Sequence, residues 1–185
     1  MTDLKRIANF LFEAGMLKKT PRTGYRFLGS GSESVADHSY RVILIGYVLA
    51  ELIPGVDRGR VVELCLVHDL TEARTGDLNY VYKEYTTVDV DSALESMTEG
   101  LAFGDSVKSL VTEFNDGRTE EARLARDADC LDLLLELKEQ HDLGNKYAES
   151  WLRHITKRIS TPIGKKLAEE IIETDFCSWW FDKKR

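Results

Sequence analysis

Cysteine is scarce and follows no pattern: the 185 residues contain three, Cys65, Cys130 and Cys177, with no Cys-x-x-Cys spacing. An odd number, set far apart in apolar surroundings, excludes a disulfide-framed fold and fits reduced thiols in a helical core. Long hydrophobic runs are also missing. The longest, Val42 to Ala50, is far below the roughly 20 residues of a spanning helix, so no membrane partner is expected. The N-terminal MTDLKRIANFLFEAG alternates charged and apolar residues at helical spacing and lacks the uninterrupted core of a signal peptide. A cytoplasmic protein is expected. Positive charge is in deficit, with 25 Lys and Arg against 32 Asp and Glu and a net charge of −7. That argues against a nucleic-acid polymer as partner, because displacing counterions from phosphates needs a basic surface. A small phosphorylated ligand is compatible with this balance, since a bound cation supplies positive charge locally. Neither strand alternation nor an internal repeat is evident.

Helical periodicity is what the chain has in quantity. Leu4, Ile7, Ala8, Leu11, Ala14 and Leu17 predict an amphipathic helix over residues 3–18, with Gly15 near its end. The following KKTPRTGYRFLGSGSES is broken by Pro21 and three glycines and holds Lys18, Lys19, Arg22 and Arg26, the most basic patch of the sequence. It suits an anionic substrate if it lies beside a metal site, and suits a solvated connector equally well. A helix over roughly 34–52 is apolar on most sides and is expected at the centre of the core. Pro54 and Gly55 end it, and Asp57 can cap the next helix, expected to reach about Arg74. NYVYKEYTT at 79–87 reads as a loop able to overhang a site. Further helices are predicted over about 90–101, 106–114, 119–141, 146–159 and 163–180. The terminal FCSWWF suits either the core or a subunit interface, with the interface preferred. The chain is expected to be one all-α domain over residues 1–185, with its chemistry in about 34–136 and C-terminal helices over about 145–181.

Chemistry concentrates in LCLVHDLTEARTGDL, Leu64 to Leu78. If the segment is helical, His68, Asp69 and Glu72 share one side of its last turns, Gly76 stops it, and Asp77 follows. Alone, it reads as an ordinary amphipathic helix ending in an acidic turn. Histidine with carboxylate suits a divalent metal of intermediate hardness. The two-histidine candidates are His38 and His68, while His141 and His154 lie in polar helices and read as surface residues. A further ligand would come from Asp127, Asp129 or Asp132, which stand among leucines and need a partner or an exposed face.

The passages PRTGY at Pro21, ESVADHSYRV around His38, VHDLTEARTGD from Val67 and ARDADCLDLLLE around Asp129 occur in an order that resembles the HD-domain metal-dependent phosphohydrolases, and within them the 5′-deoxynucleotidase group. The resemblance implies an all-α HD-domain fold and a phosphomonoesterase acting on deoxyribonucleoside 5′-monophosphates. It places metal ligands at His38, His68, Asp69 and Asp129, the last favoured over Asp127 by the basic Arg126 three residues before it. It gives catalytic acid–base roles to Glu72 and Asp77 and substrate binding to Arg22. The tryptophan that some members carry after that arginine is here Thr23, which leaves base selectivity open. A homodimer is also implied. Two-metal members of that superfamily carry extra histidines between the His-Asp pair and the final Asp, and this chain has none between residues 69 and 140, so the resemblance implies a single divalent ion: manganese, cobalt or magnesium, with iron, nickel or zinc also compatible. The rival readings are an HD hydrolase of a triphosphate or signalling nucleotide, and a non-catalytic helical module that binds metal or nucleotide.

Overall fold

The computed structural model describes residues 3–181. Helix α1 (Leu4–Ala14) starts on Asp3, whose carboxylate accepts the N–H groups of Lys5 and Arg6. It tightens into a 3-10 turn over Gly15–Lys18. The basic loop then carries one helical turn, α2 (Tyr25–Leu28), which Gly29 closes at φ 72°. Its two ends are drawn together by an isolated bridge between Pro21 and Ser34. Helix α3 (Val35–Glu51) opens on a reciprocal capping box between Ser34 and Asp37, and α4 (Arg58–Val67) opens on the side chain of Asp57.

Two expectations change in this region. The helix predicted to reach Arg74 stops at Val67. From there the chain descends through tighter turns, with Leu70 N–H bonded to the Val67 carbonyl and Glu72 N–H to that of Asp69, before a single turn α5 (Glu72–Thr75). Bonds to the third preceding residue narrow the coil, so His68, Asp69 and Glu72 are not stacked as an α-helix would stack them. The predicted loop at 79–87 contains a short helix, α6 (Tyr80–Tyr85), because Asn79 caps it by accepting from Val81 and Tyr82.

Next come α7 (Val90–Thr98) and α8 (Gly104–Asp116), the latter ended by Gly117 in the left-handed region. Helix α9 (Glu120–Asp142) is capped by Thr119 and forms the spine of the domain. It packs against α3, α4 and α8 and against the later α10 (Ala148–Ile155) and α11 (Pro162–Glu173). Its Leu124, Ala128, Leu131 and Leu134 are fully buried. The expected last helix is divided in two, since the chain turns extended at Thr174 before α12 (Ser178–Phe181). Trp179 and Phe181 are exposed, so the aromatic tail is not core.

Helix α3 is less enclosed than its composition suggests. Val35, Val42, Ile45 and Leu49 are buried, but Tyr40, Leu44, Tyr47 and Val48 follow the opposite stripe and are exposed. On the inner side, Gly46 lets α3 and α4 close. A Cβ there would stand 2.5 Å from Cys65 Sγ, so the missing side chain sets how near His38 and His68 can come. Among the described residues there is no strand, which bears out the all-α fold. No described helix is long and apolar enough to cross a membrane.

Candidate metal centre and active site

Helix α3 puts His38 in its second turn, where the ring is wholly buried. One ring nitrogen, Nδ1, lies 2.5 Å from Asp132 Oδ2. The other oxygen of Asp132 accepts from Arg41 Nε at 2.5 Å, so the carboxylate is itself held in place. This fixes the imidazole with Nε2 facing the end of α4. There His68 presents its own Nε2 at 3.3 Å, while its Nδ1 is committed to the Cys65 carbonyl at 2.8 Å. Asp69 Oδ2 lies 3.2 Å from His68 Nε2 and 3.5 Å from His38 Nε2. Asp129 Oδ1, from the facing turn of α9, is 3.3 Å from His38 Nε2.

The donor atoms of His38, His68 and Asp69 all lie within 4.8 Å of one another. Asp69 Oδ2 and the nearby Glu72 Oε2 are buried without a hydrogen-bond partner. Leaving buried carboxylate oxygens bare is costly, and two imidazole nitrogens with two carboxylates are a donor set that a divalent first-row ion satisfies. The residues present therefore fit the metal that the sequence implied.

Electrostatics point the same way. Burial alone would lower the pKa of His38, but hydrogen bonding to Asp129 and Asp132 outweighs it and lifts the value to about 10. His68 is raised as well, with burial opposed by Asp69 and Asp129. Burial would raise Asp129, yet His38, His68 and Arg22 together hold it below the usual carboxylate range. The carboxylates that raise both buried imidazoles also attract a cation.

The three candidate aspartates of α9 have three different jobs. Asp129 faces the imidazoles. Asp132 orients His38 from behind. Asp127 turns away, and its two oxygens accept the backbone N–H and hydroxyl of both Ser160 and Thr161 at 2.6–3.1 Å, anchoring the start of α11.

Arg22, Glu72 and Asp77 gather beside this centre. Arg22 Nη1 is 3.6 Å from Asp69 Oδ2 and 3.5 Å from Asp77 Oδ1. Asp77 Oδ2 accepts from Thr23 N at 2.5 Å and from Thr23 Oγ1 at 3.0 Å. Both nitrogens of Asn79 donate to the same Thr23 hydroxyl. Gly76 makes the bend between Glu72 and Asp77 at φ 72°, where a side chain would be strained. Burial first, and then the charges of Asp69 and Asp77, push Glu72 up to about 8, against the opposing pull of Arg22 and His68. These groups line one cavity of about 690 Å³, which extends past Tyr80 and Trp151.

Sequence reasoning did not anticipate Arg158, on the cavity wall with Nη2 4.0 Å from Asp129 Oδ2. Nor did it foresee the part played by Thr23. His154 is exposed as expected but stands on the same wall. None of these has a local signature, because each is brought to the site only by the packing of the basic loop and of the segment that runs from α10 to Arg158.

A family model for the HD domain matches residues 14–172. The chain is 31% identical to a 5′-deoxynucleotidase HDDC2 of Dictyostelium discoideum, with 85% of this chain and 92% of that protein covered. It is 29% identical to a 5′-deoxynucleotidase of Schizosaccharomyces pombe, over 94% of this chain and 92% of the other. Among solved structures, a conserved hypothetical protein from Pyrococcus furiosus superposes with a TM-score of 0.75 at 27% identity, covering 90% of this chain and 99% of that one.

Proposed function

The chain belongs to the HD-domain family, and from that premise we propose that it is a metal-dependent phosphomonoesterase that converts deoxyribonucleoside 5′-monophosphates to deoxynucleoside and phosphate. The substrate class comes from the 5′-deoxynucleotidases to which the chain is similar. The observation that carries the reading is the pair of bare, buried oxygens, Asp69 Oδ2 and Glu72 Oε2, beside two imidazole nitrogens 3.3 Å apart, at the wall of a cavity that Asp69, Glu72 and Arg22 line.

His38, His68, Asp69 and Asp129 would hold one divalent ion, with manganese, cobalt or magnesium preferred. When bound, such an ion supplies Lewis acidity toward a phosphoryl oxygen and lowers the pKa of water. The chain's own residues do the rest. Arg22 is held between two carboxylates that fix its guanidinium, and it offers paired N–H donors to the phosphate. Asp77 has both oxygens engaged, one by Thr23 and one near Arg22, so its role is to orient. Glu72 keeps a free oxygen, and its raised pKa lets it carry a proton near neutral pH. Water adds to phosphorus, the bond from phosphorus to the 5′-oxygen breaks, Glu72 gives its proton to that oxygen, and the proton lost by the water restores Glu72.

A homodimer is part of the same reading. The exposed stripe of Tyr40, Leu44, Tyr47 and Val48 and the exposed Trp179 and Phe181 are apolar surface that a second copy would cover. The free thiols of Cys65, Cys130 and Cys177 suit a cytoplasmic setting.

Phosphate release from deoxy- and ribonucleoside monophosphates, each with manganese, cobalt and magnesium, tests the proposal. Metal-dependent release from the deoxy series with little from the ribo series is expected. Release from triphosphates alone, or binding without turnover under every metal, would overturn it.

A further inference from the structure

A further stretch of the cavity wall, formed by aromatic side chains, has no part assigned to it in phosphoryl transfer. Trp151 of α10 and Tyr80 of α6 both line it. Their ring centroids are 6.2 Å apart and the planes stand at 78°, so the two rings form a corner. Phe27 also packs against Tyr80, with ring centroids 5.6 Å apart. Tyr80 is nevertheless 62% exposed, a large aromatic surface left open beside the site.

This corner is tied to the reacting end through three consecutive residues. Arg22 reaches Asp69 and Asp77. Thr23 holds Asp77 and, through its hydroxyl, Asn79, the residue before Tyr80. Gly24 lies against Trp151, whose indole comes within 3.7 Å of the point a Cβ would occupy. A ligand gripped at its phosphate by Arg22 therefore has an aromatic corner at a fixed offset, where a flat group would gain a face from one ring and an edge from the other.

We propose that Trp151 and Tyr80 form the nucleobase subsite, in which the base stacks on one ring and abuts the edge of the other. The inference rests on the nucleotide reading above and adds residues and a selectivity to it. Every base has a π-face, so stacking tolerates purine and pyrimidine alike. The site accepts deoxynucleotides with little regard to base and gains from the base mainly in binding.

The test compares deoxyadenosine and deoxycytidine 5′-monophosphates with 2-deoxyribose 5-phosphate, the same ester without a base, in the metal-loaded wild type, Trp151→Ala, Trp151→Phe and Tyr80→Ala. The kcat/KM ratio of nucleotide to base-free ester is expected to fall about 5- to 100-fold in Trp151→Ala, chiefly through KM, and to fall also in Tyr80→Ala. Trp151→Phe, which keeps a stacking face and the packing of α10, should stay within about threefold of wild type. A ratio in both alanine variants equal to the wild-type ratio, or an equal loss on both kinds of ester, overturns the subsite. Failure of the underlying reading looks different: the wild type itself would release no phosphate from any nucleotide, and both proposals would fall together. Tyr80→Ala removes an exposed side chain, so its result stands even if Trp151→Ala folds poorly.

Discussion

Asp132 Oδ2 lies 2.5 Å from His38 Nδ1, and this contact, more than the position of His38 on its helix, decides which ring nitrogen faces the other ligands. Losing the carboxylate frees the imidazole to rotate and leaves Arg41 Nε without its partner, while Arg41 Nη2 keeps Glu136. Asp132→Ala is expected to weaken manganese binding about 10- to 100-fold, the range typical for partners behind a metal ligand. Asp132→Asn, which can still accept from Nδ1–H, should lose less. Calorimetric titration of both variants checks the order, and equal affinities in Asp132→Ala and wild type would remove Asp132 from the site.

Glu72 provides a pH prediction. Burial and its acidic neighbours raise it from an ordinary value of 4.5 to about 8. Below the lower value both folded and unfolded chains hold the proton and nothing is gained or lost. Between the two, the unfolded chain ionises while the folded one does not, so folding becomes progressively less favourable as pH rises. Glu72→Gln never ionises. In chelator-treated protein its melting temperature should therefore exceed that of wild type by a margin that widens from pH 5 to 8. A margin that stays flat across that range contradicts the proposed environment of Glu72.

Asp127 and Asp129 can be told apart by what each variant loses. Asp127 is 1% exposed and takes all its bonds from Ser160 and Thr161. Asp127→Ala leaves buried donors unpaired at a cost of about 3 kcal/mol, or roughly 6–12 °C in melting temperature for a chain of this size. Metal stoichiometry should survive. Asp129→Ala should do the reverse, losing metal with little loss of stability in chelated protein. Thermal melts paired with metal analysis distinguish the two, and a metal-free, thermally unchanged Asp127→Ala would invert the assignment.

Which parts of this arrangement could be read from the chain depends on how local the responsible forces are. The helices of α1, α3 and α9 follow apolar spacing and side-chain caps at Asp3, Ser34 and Thr119, all within a few residues of one another, and their positions were legible. The His68-Asp69 segment was legible as chemistry but not as geometry. Nothing in VHDLTEA announces that hydrogen bonds shift to the third preceding residue after Val67. The exposed stripe of α3 was hidden for the opposite reason, because apolar residues on all sides do not reveal which side has a neighbour. Asp127, Asp129 and Asp132 differ in role by which helix each faces, and a sequence with no measure of contact cannot rank them without a family pattern. Trp151 reaches the cavity beside Gly24 from a helix more than a hundred residues away, a placement that only the folded chain displays.

In the proposed reaction, one divalent ion at His38, His68, Asp69 and Asp129 is required for phosphate release. Manganese added in steps to chelator-stripped protein, with release from a deoxyribonucleoside 5′-monophosphate followed at each step, tests it most directly. No release is expected at zero manganese, with a linear rise that saturates at one equivalent per chain and no recovery at any level in a His68→Ala and Asp69→Ala double variant. Undiminished release from the stripped protein, or a rise that breaks only at two equivalents, would contradict it.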